Sequence, residues 1–289
     1  MCPDARLRLD KLVNEPSKRA QAQVSVLPSM AIAGRSDGTE RSRPTPGNDA
    51  ARADRLNRYI QSFMDQQQHP RMGFYPGLSA RPWHDASAFP IVNALEQAFE
   101  DIHREITNIE NTPFQDEIEE MTRVGSWEVF LFYERGKKNL ENCSRCPVIT
   151  QIIESHNTVR TLAGLMYASR TRPGTHIVPH QGPTNMRLRV HLGLSIPQGD
   201  CGLRVGNEIR RWEDGKCLVF DDHFEHESWN YTNQPRVVLI LDIWHPDLTR
   251  SEITFLEGLH RYAYYQAGSL NRYWLANADA RERARKEYD

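Results

Sequence analysis

The chain has 289 residues, enough for one large domain with extensions. Lys and Arg number 36 against 38 Asp and Glu, a net charge of −2, so nothing electrostatic points to nucleic acid or to an anionic membrane. No apolar run approaches the roughly 20 residues of a membrane span and no apolar signal segment opens the chain, so a cytoplasmic protein acting on a small molecule is expected.

Residues 1–50 are rich in Arg, Ser, Pro, Gly and Asp without a sustained period and read as a flexible N-terminal arm. A domain over 51–250 follows, opening with an amphipathic helix over 51–66 that carries Leu56, Ile60 and Phe63 on one face. A turn-rich stretch, Gln68 to Pro82, leads into Trp83-His84. Ile91 to Ile109 is predicted as one helix, with Ile91, Leu95, Phe99 and Ile102 forming the stripe that covers a sheet. Five cysteines make an odd, sparse set with no disulfide framework, and Cys143-Ser-Arg-Cys146 reads as a local loop feature.

From Trp127 onward the period changes to two. Strands are predicted over Trp127 to Tyr133 and Gly164 to Ser169, with helical sequence at Val148 to His156 between them. Thr175 to Val178, Arg187 to Ile196, Cys201 to Val205, Glu208 to Trp212, Lys216 to Phe220, His226 to Asn230 and Val237 to Trp244 follow, separated by turn residues. So many short strands at regular spacing predict a mainly β fold with flanking helices, a jelly roll of the cupin kind. Residues 251–289 return to helical, charged sequence as a C-terminal extension.

Within Arg187 to Leu194 the alternation places Arg187, Arg189 and His191 on one strand face and Leu188, Val190, Leu192 and Leu194 on the other. Three cationic or titratable groups on one face of a buried strand point to an anion-binding wall. His180 and His226 flank this strand in sequence and are expected to face each other across the barrel as a two-histidine metal site. Arg236, opening an apolar strand, suits bidentate capture of a carboxylate. A hydrolytic zinc site fits less well, since the chain has no H-E-x-x-H.

Several stretches together resemble the aspartyl/asparaginyl β-hydroxylase family. They are Tyr75-Pro-Gly-Leu78, Trp127, Pro173-Gly-Thr-His-Ile-Val-Pro-His180, the run Gly182 to Leu194, Trp212-Glu-Asp-Gly-Lys216, Phe220-Asp-Asp222, Phe224-Glu-His-Glu227 and Trp244-His-Pro-Asp-Leu-Thr249. The resemblance covers roughly Phe74 to Arg250. It implies a double-stranded β-helix and an Fe(II)- and 2-oxoglutarate-dependent dioxygenase using O2. It also implies that His180 and His226 hold the iron and that Ser169 and Arg236 hold the distal carboxylate of 2-oxoglutarate. Arg189 and His191 are implied at the cosubstrate's other end or at the substrate acid. Trp127, Arg189, Arg123 and Thr171 are the substrate-side candidates.

Two positions shape the expected reaction. Gly182 stands two residues after His180, where most of the wider superfamily supplies a carboxylate ligand, so water is expected to complete the metal's shell. The substrate-binding arginine of the animal enzyme has Thr122 in its place, with Arg123 beside it, and a counterpart of that enzyme's tetratricopeptide-type region and membrane anchor is not expected. Hydroxylation of an amino acid or small acid in specialised metabolism is therefore expected. Ring closure such as aziridine formation, halogenation, β-hydroxylation of Asp or Asn in a peptide, and a non-enzymatic cupin metal-binding module are the alternatives.

Overall fold

The computed structural model describes residues 46–65, 73–109, 114–116 and 122–261, all within one unit, Thr45–Asp289. Most of the expected N-terminal arm and the tail beyond 261 lie outside the described residues. Helix α1 spans Pro46–Asp65, followed by β1 (Trp83–His84), α2 (Pro90–Gln97) and α3 (Phe99–Ile109). Strands β2 (Gln115–Asp116), β3 (Thr122–Val124), β4 (Trp127–Glu134) and β5 (Lys137–Lys138) lead to α4 (Leu140–Arg145) and α5 (Pro147–Ser155). Then come β6 (Leu165–Thr171), β7 (Thr175–His180), β8 (Arg187–Ser195), β9 (Cys201–Val205), β10 (Glu208–Arg210), β11 (Cys217–Phe220), β12 (His226–Asn230) and β13 (Arg236–Trp244). Residues 250–261 form a last helix, α6.

The strands make two sheets, β1-β11-β8-β13-β6-β4-β2 with β5 on β4, and β10-β9-β12-β7-β3, with antiparallel neighbours throughout. From β6 to β13 the chain passes back and forth between the sheets. That winding is a double-stranded β-helix, the cupin-like jelly roll expected from the strand spacing. Strand β8 shows why the fold holds. Its Leu188, Val190, Leu192 and Leu194 are buried under α2, α3 and α5, each contributing roughly 1.5–3 kcal/mol. The alternate residues Arg187, Arg189 and His191 turn to the opposite face, where a second cluster including Ile177, Leu203, Phe220 and Val238 draws on both sheets.

The single helix expected over 91–109 is two. Ala98 (φ −90°, ψ 9°) leaves helical geometry, and its N–H reaches back to the Ala94 carbonyl to close α2. The break separates the buried triplet Ile91, Val92 and Leu95 from Ile102, Ile106 and Ile109, and leaves Phe99 half-buried over Gly215. The C-x-x-C is not a loop: Cys143 lies in α4 and Cys146 precedes α5. Burial pushes both thiols up, Cys146 to about 12, which makes them poor nucleophiles. Among the described residues no helix is long and apolar enough to cross a membrane.

Helices α1 and α6 pack on one end of the roll through Tyr59, Tyr75, Trp244, Ile253 and Leu256. Tyr59 is a fully buried anchor of α1; the expected Phe63 side chain lies outside the described residues. His260 of α6 is buried against Tyr59, Thr161 and Trp244. Burial pushes its pKa from 6.5 down to about 4. The unfolded chain therefore takes up a proton that the folded chain refuses, so stability present above pH 6.5 is lost as pH falls toward 4. The Tm of the metal-free protein is expected to drop across that window, and His260→Gln to shrink the drop. A variant profile parallel to that of the wild type would show that His260 does not drive it.

Candidate active site

His180 ends β7 and His226 begins β12, and the two are paired in register within one sheet. Directly opposed residues of an antiparallel pair point to the same face, and the imidazole centroids lie 4.1 Å apart. The expected meeting across the barrel is thus a meeting along one ladder. Each ring is anchored the same way. His180 Nδ1 donates to the Val178 carbonyl at 2.7 Å and His226 Nδ1 to that of Phe224 at 2.9 Å. Donation from Nδ1 puts the ring lone pair on Nε2, the tautomer a metal needs. Burial, then the neighbouring His180, pushes His226 down to about 4, so it is neutral at pH 7. Among the described residues, no group of three or more His, Cys, Asp or Glu side chains is placed to share a metal.

Gly182 explains itself by what fills its space. A Cβ there would fall 2.5 Å from the Cγ and Oδ1 of Asp222, and the Gly182 N–H donates to the Asp222 carbonyl at 2.6 Å. The Asp222 carboxylate thus stands where a side chain at 182 would begin. Burial opposes its ionisation, yet the Arg187 and Arg189 guanidiniums outweigh that and hold it well below the usual carboxylate range. Oδ2 accepts from Arg187 Nη2 at 2.7 Å, whereas Oδ1 is buried without a hydrogen bond from the described residues. The sequence reading missed Asp222. Its signal was an acidic pair ending an apolar strand four residues before a candidate ligand.

Arg236 is buried at the start of β13. Its Nε donates to Thr171 Oγ1 at 3.0 Å, its Nη2 reaches Ser169 Oγ at 3.4 Å, and its guanidinium carbon lies 4.7 Å from the centre of the Trp212 ring. No carboxylate among the described residues forms an ion pair with it, and burial pulls its pKa down to about 10. Trp127 Nε1 also donates to Ser169 Oγ, at 2.9 Å, so that hydroxyl accepts twice and keeps its own proton to offer. A buried cation without a counter-ion is costly and marks a ligand site.

The remaining candidates divide. Arg189 donates to both carboxylate oxygens of Asp242, at 2.9 and 3.2 Å, and lies 3.4 Å from Asp222, so its charge is met within the protein. His191 Nδ1 accepts from Trp212 Nε1 at 3.2 Å, and its Nε2 is buried without a partner among the described residues. Phe220 joins the parts, 5.6 Å from the His226 ring and 4.9 Å from that of His191. Trp127 and Thr171 face each other in register across β4 and β6. Arg123 lies in β3, and its side chain is outside the described residues. A pair of metal-competent histidines, an uncompensated guanidinium and an orphan N–H donor suit a metal with an anionic chelator.

Residues 96–246 match the sequence model described as aspartyl/asparaginyl beta-hydroxylase. The chain belongs to this family. The aspartyl/asparaginyl beta-hydroxylase of Mus musculus is 39% identical over 60% of this chain and 24% of its own length. The ornithine lipid ester-linked acyl 2-hydroxylase of Rhizobium tropici is 33% identical over 60% of this chain and 63% of its own. Aspartate beta-hydroxylase domain-containing protein 2 of Rattus norvegicus is 35% identical over 68% of this chain and 60% of its own. The chain thus matches less than two thirds of the length of each of these family relatives.

Proposed function

We propose that this member of the family is an Fe(II)- and 2-oxoglutarate-dependent dioxygenase that hydroxylates an unactivated C–H bond of an amino acid or related small acid, in specialised metabolism and in the cytoplasm. The observation that carries the reading is Arg236, a buried guanidinium with no counter-ion among the described residues, in the same interior as the His180–His226 pair. His180 and His226 would hold the iron through Nε2. Arg236 and Ser169 would take the distal carboxylate of 2-oxoglutarate, and the His191 Nε2–H would serve its other end. When bound, iron and cosubstrate supply the oxidant for C–H cleavage, with O2 consumed and 2-oxoglutarate converted to succinate and CO2.

The chain's own residues do the rest. The aromatic walls formed by Trp127, Trp212 and Phe220 exclude water and other hydrogen donors from the interior, and the paired strands hold the groups that orient the reactants. Two of the named relatives, both hydroxylases, differ in what their names say they act on, an aspartyl or asparaginyl residue in one and a lipid acyl chain in the other. That contrast favours the reaction class over any one substrate. The near-balanced charge favours a small molecule over a nucleic acid or membrane surface.

The test is succinate release from 2-oxoglutarate across a panel of amino acids, small acids and Asp- or Asn-containing peptides, followed by product mass. One added oxygen is expected. Loss of two hydrogens would mark ring closure, and no succinate with any compound would leave a metal-binding cupin module. The ionised Asp222 carboxylate packed against Gly182 adds negative charge near the metal histidines, which disfavours a second anion there, so replacing chloride by bromide is expected to leave the product unchanged. A product mass that tracked the halide would convert the reading to halogenation.

A further inference from the structure

Trp212 lies in the segment between β10 and β11 and is buried, 3% exposed. Its ring contacts both groups assigned above to the ends of the cosubstrate. The Arg236 guanidinium carbon stands 4.7 Å from the indole centre. The His191 imidazole lies almost parallel to the indole, at 13° and 6.0 Å between centroids, and accepts its N–H on Nδ1 at 3.2 Å. An indole nitrogen only donates, so His191 Nδ1 must present a lone pair. The imidazole proton therefore sits on Nε2, the atom that is buried without an acceptor among the described residues. A buried N–H left without an acceptor is costly, and it marks a place where a ligand atom belongs.

We propose that Trp212 is a positioning residue that fixes His191 as an Nε2–H donor and carries the Arg236 guanidinium on its face, so that one indole spaces the two donors of a single dicarboxylate site. The inference rests on the cosubstrate reading above and names the residue that sets its geometry. Without the indole N–H, His191 is free to move its proton to Nδ1, and Nε2 would then turn a lone pair toward an anion. The interaction with 2-oxoglutarate would change from donation to repulsion. The electron-rich face of the Trp212 ring also attracts the buried guanidinium, so Arg236 remains in place before an anion arrives.

The experiment is nitrogen-15 NMR of histidine-labelled full-length protein, with the His191 signals assigned by their loss in His191→Gln. Wild type is expected to show a protonated Nε2 and an unprotonated Nδ1. Trp212→Phe keeps an aromatic ring under Arg236 but removes the N–H; it is expected to give mixed tautomers and an affinity for 2-oxoglutarate about tenfold weaker in equilibrium titration with Zn(II) present. A proton on Nδ1 in the wild type overturns the proposal, and so does an unmixed Nε2–H form in Trp212→Phe whatever its affinity. If Trp212→Phe does not fold, the wild-type tautomer alone decides. Wild type with Nε2–H that fails to bind 2-oxoglutarate refutes the cosubstrate reading and leaves Trp212 as the residue that sets the tautomer.

Discussion

His180→Ala and His226→Ala are each expected to abolish Fe(II) binding and succinate formation in a protein that still folds. The two rings come from neighbouring strands in register, and each is aimed by a hydrogen bond to a carbonyl two residues upstream. Losing an outer-shell partner of a metal ligand typically costs 10- to 100-fold in affinity, so losing one of only two protein ligands should cost at least about 100-fold. His180 is half-buried and His226 buried, and His226 is neutral at pH 7, so neither deletion strands a buried charge. Metal content after dialysis, circular dichroism and turnover are the measurements. Full activity or undiminished iron binding in either variant would sink the metal assignment.

Arg236→Leu is expected to move stability and cosubstrate binding in opposite directions. Among the described residues the guanidinium is buried with hydroxyl partners and an indole face but no carboxylate, so an apolar replacement removes an uncompensated charge. Replacing buried charge by apolar packing is often neutral or stabilising, by up to about 4 kcal/mol, and the Tm of the metal-free variant should hold or rise. Affinity for 2-oxoglutarate should fall by about 2–5 kcal/mol, the usual cost of truncating one partner of a buried, hydrogen-bonded charge pair. Ser169→Ala should cost about 1 kcal/mol, one hydrogen bond. An unchanged affinity in Arg236→Leu would move the carboxylate site elsewhere. Arg189 would be the first candidate, although Asp242 and Asp222 already meet its charge.

Much of the roll was legible because strand periodicity is local. The alternation of β8 sorted its aliphatic residues under the helices and its polar residues into the interior. The helix break at Ala98 was not legible, because the apolar stripe continues through it in the sequence while the chain bends. Short strands β2, β3 and β5 escaped for a related reason: two or three residues carry no measurable period, and their pairing to β4 and β7 comes from the neighbours.

By itself the sequence determined the fold class, because periodicity and turn residues are properties of the chain alone, and its motifs proposed residues for the site. It named His180, His226, Ser169, Arg236 and His191, but it could not say which charges were already answered. Only the tertiary structure decided that Arg189 is paired with Asp242 while Arg236 meets no carboxylate among the described residues, since both read in the sequence as arginines on buried strands. Only it brought Asp222 into the space above Gly182 and the Trp212 N–H onto His191. These contacts join residues from separate strands and loops. Ion pairing and tautomer choice depend on distances of a few ångströms across those elements, which local sequence pattern does not encode.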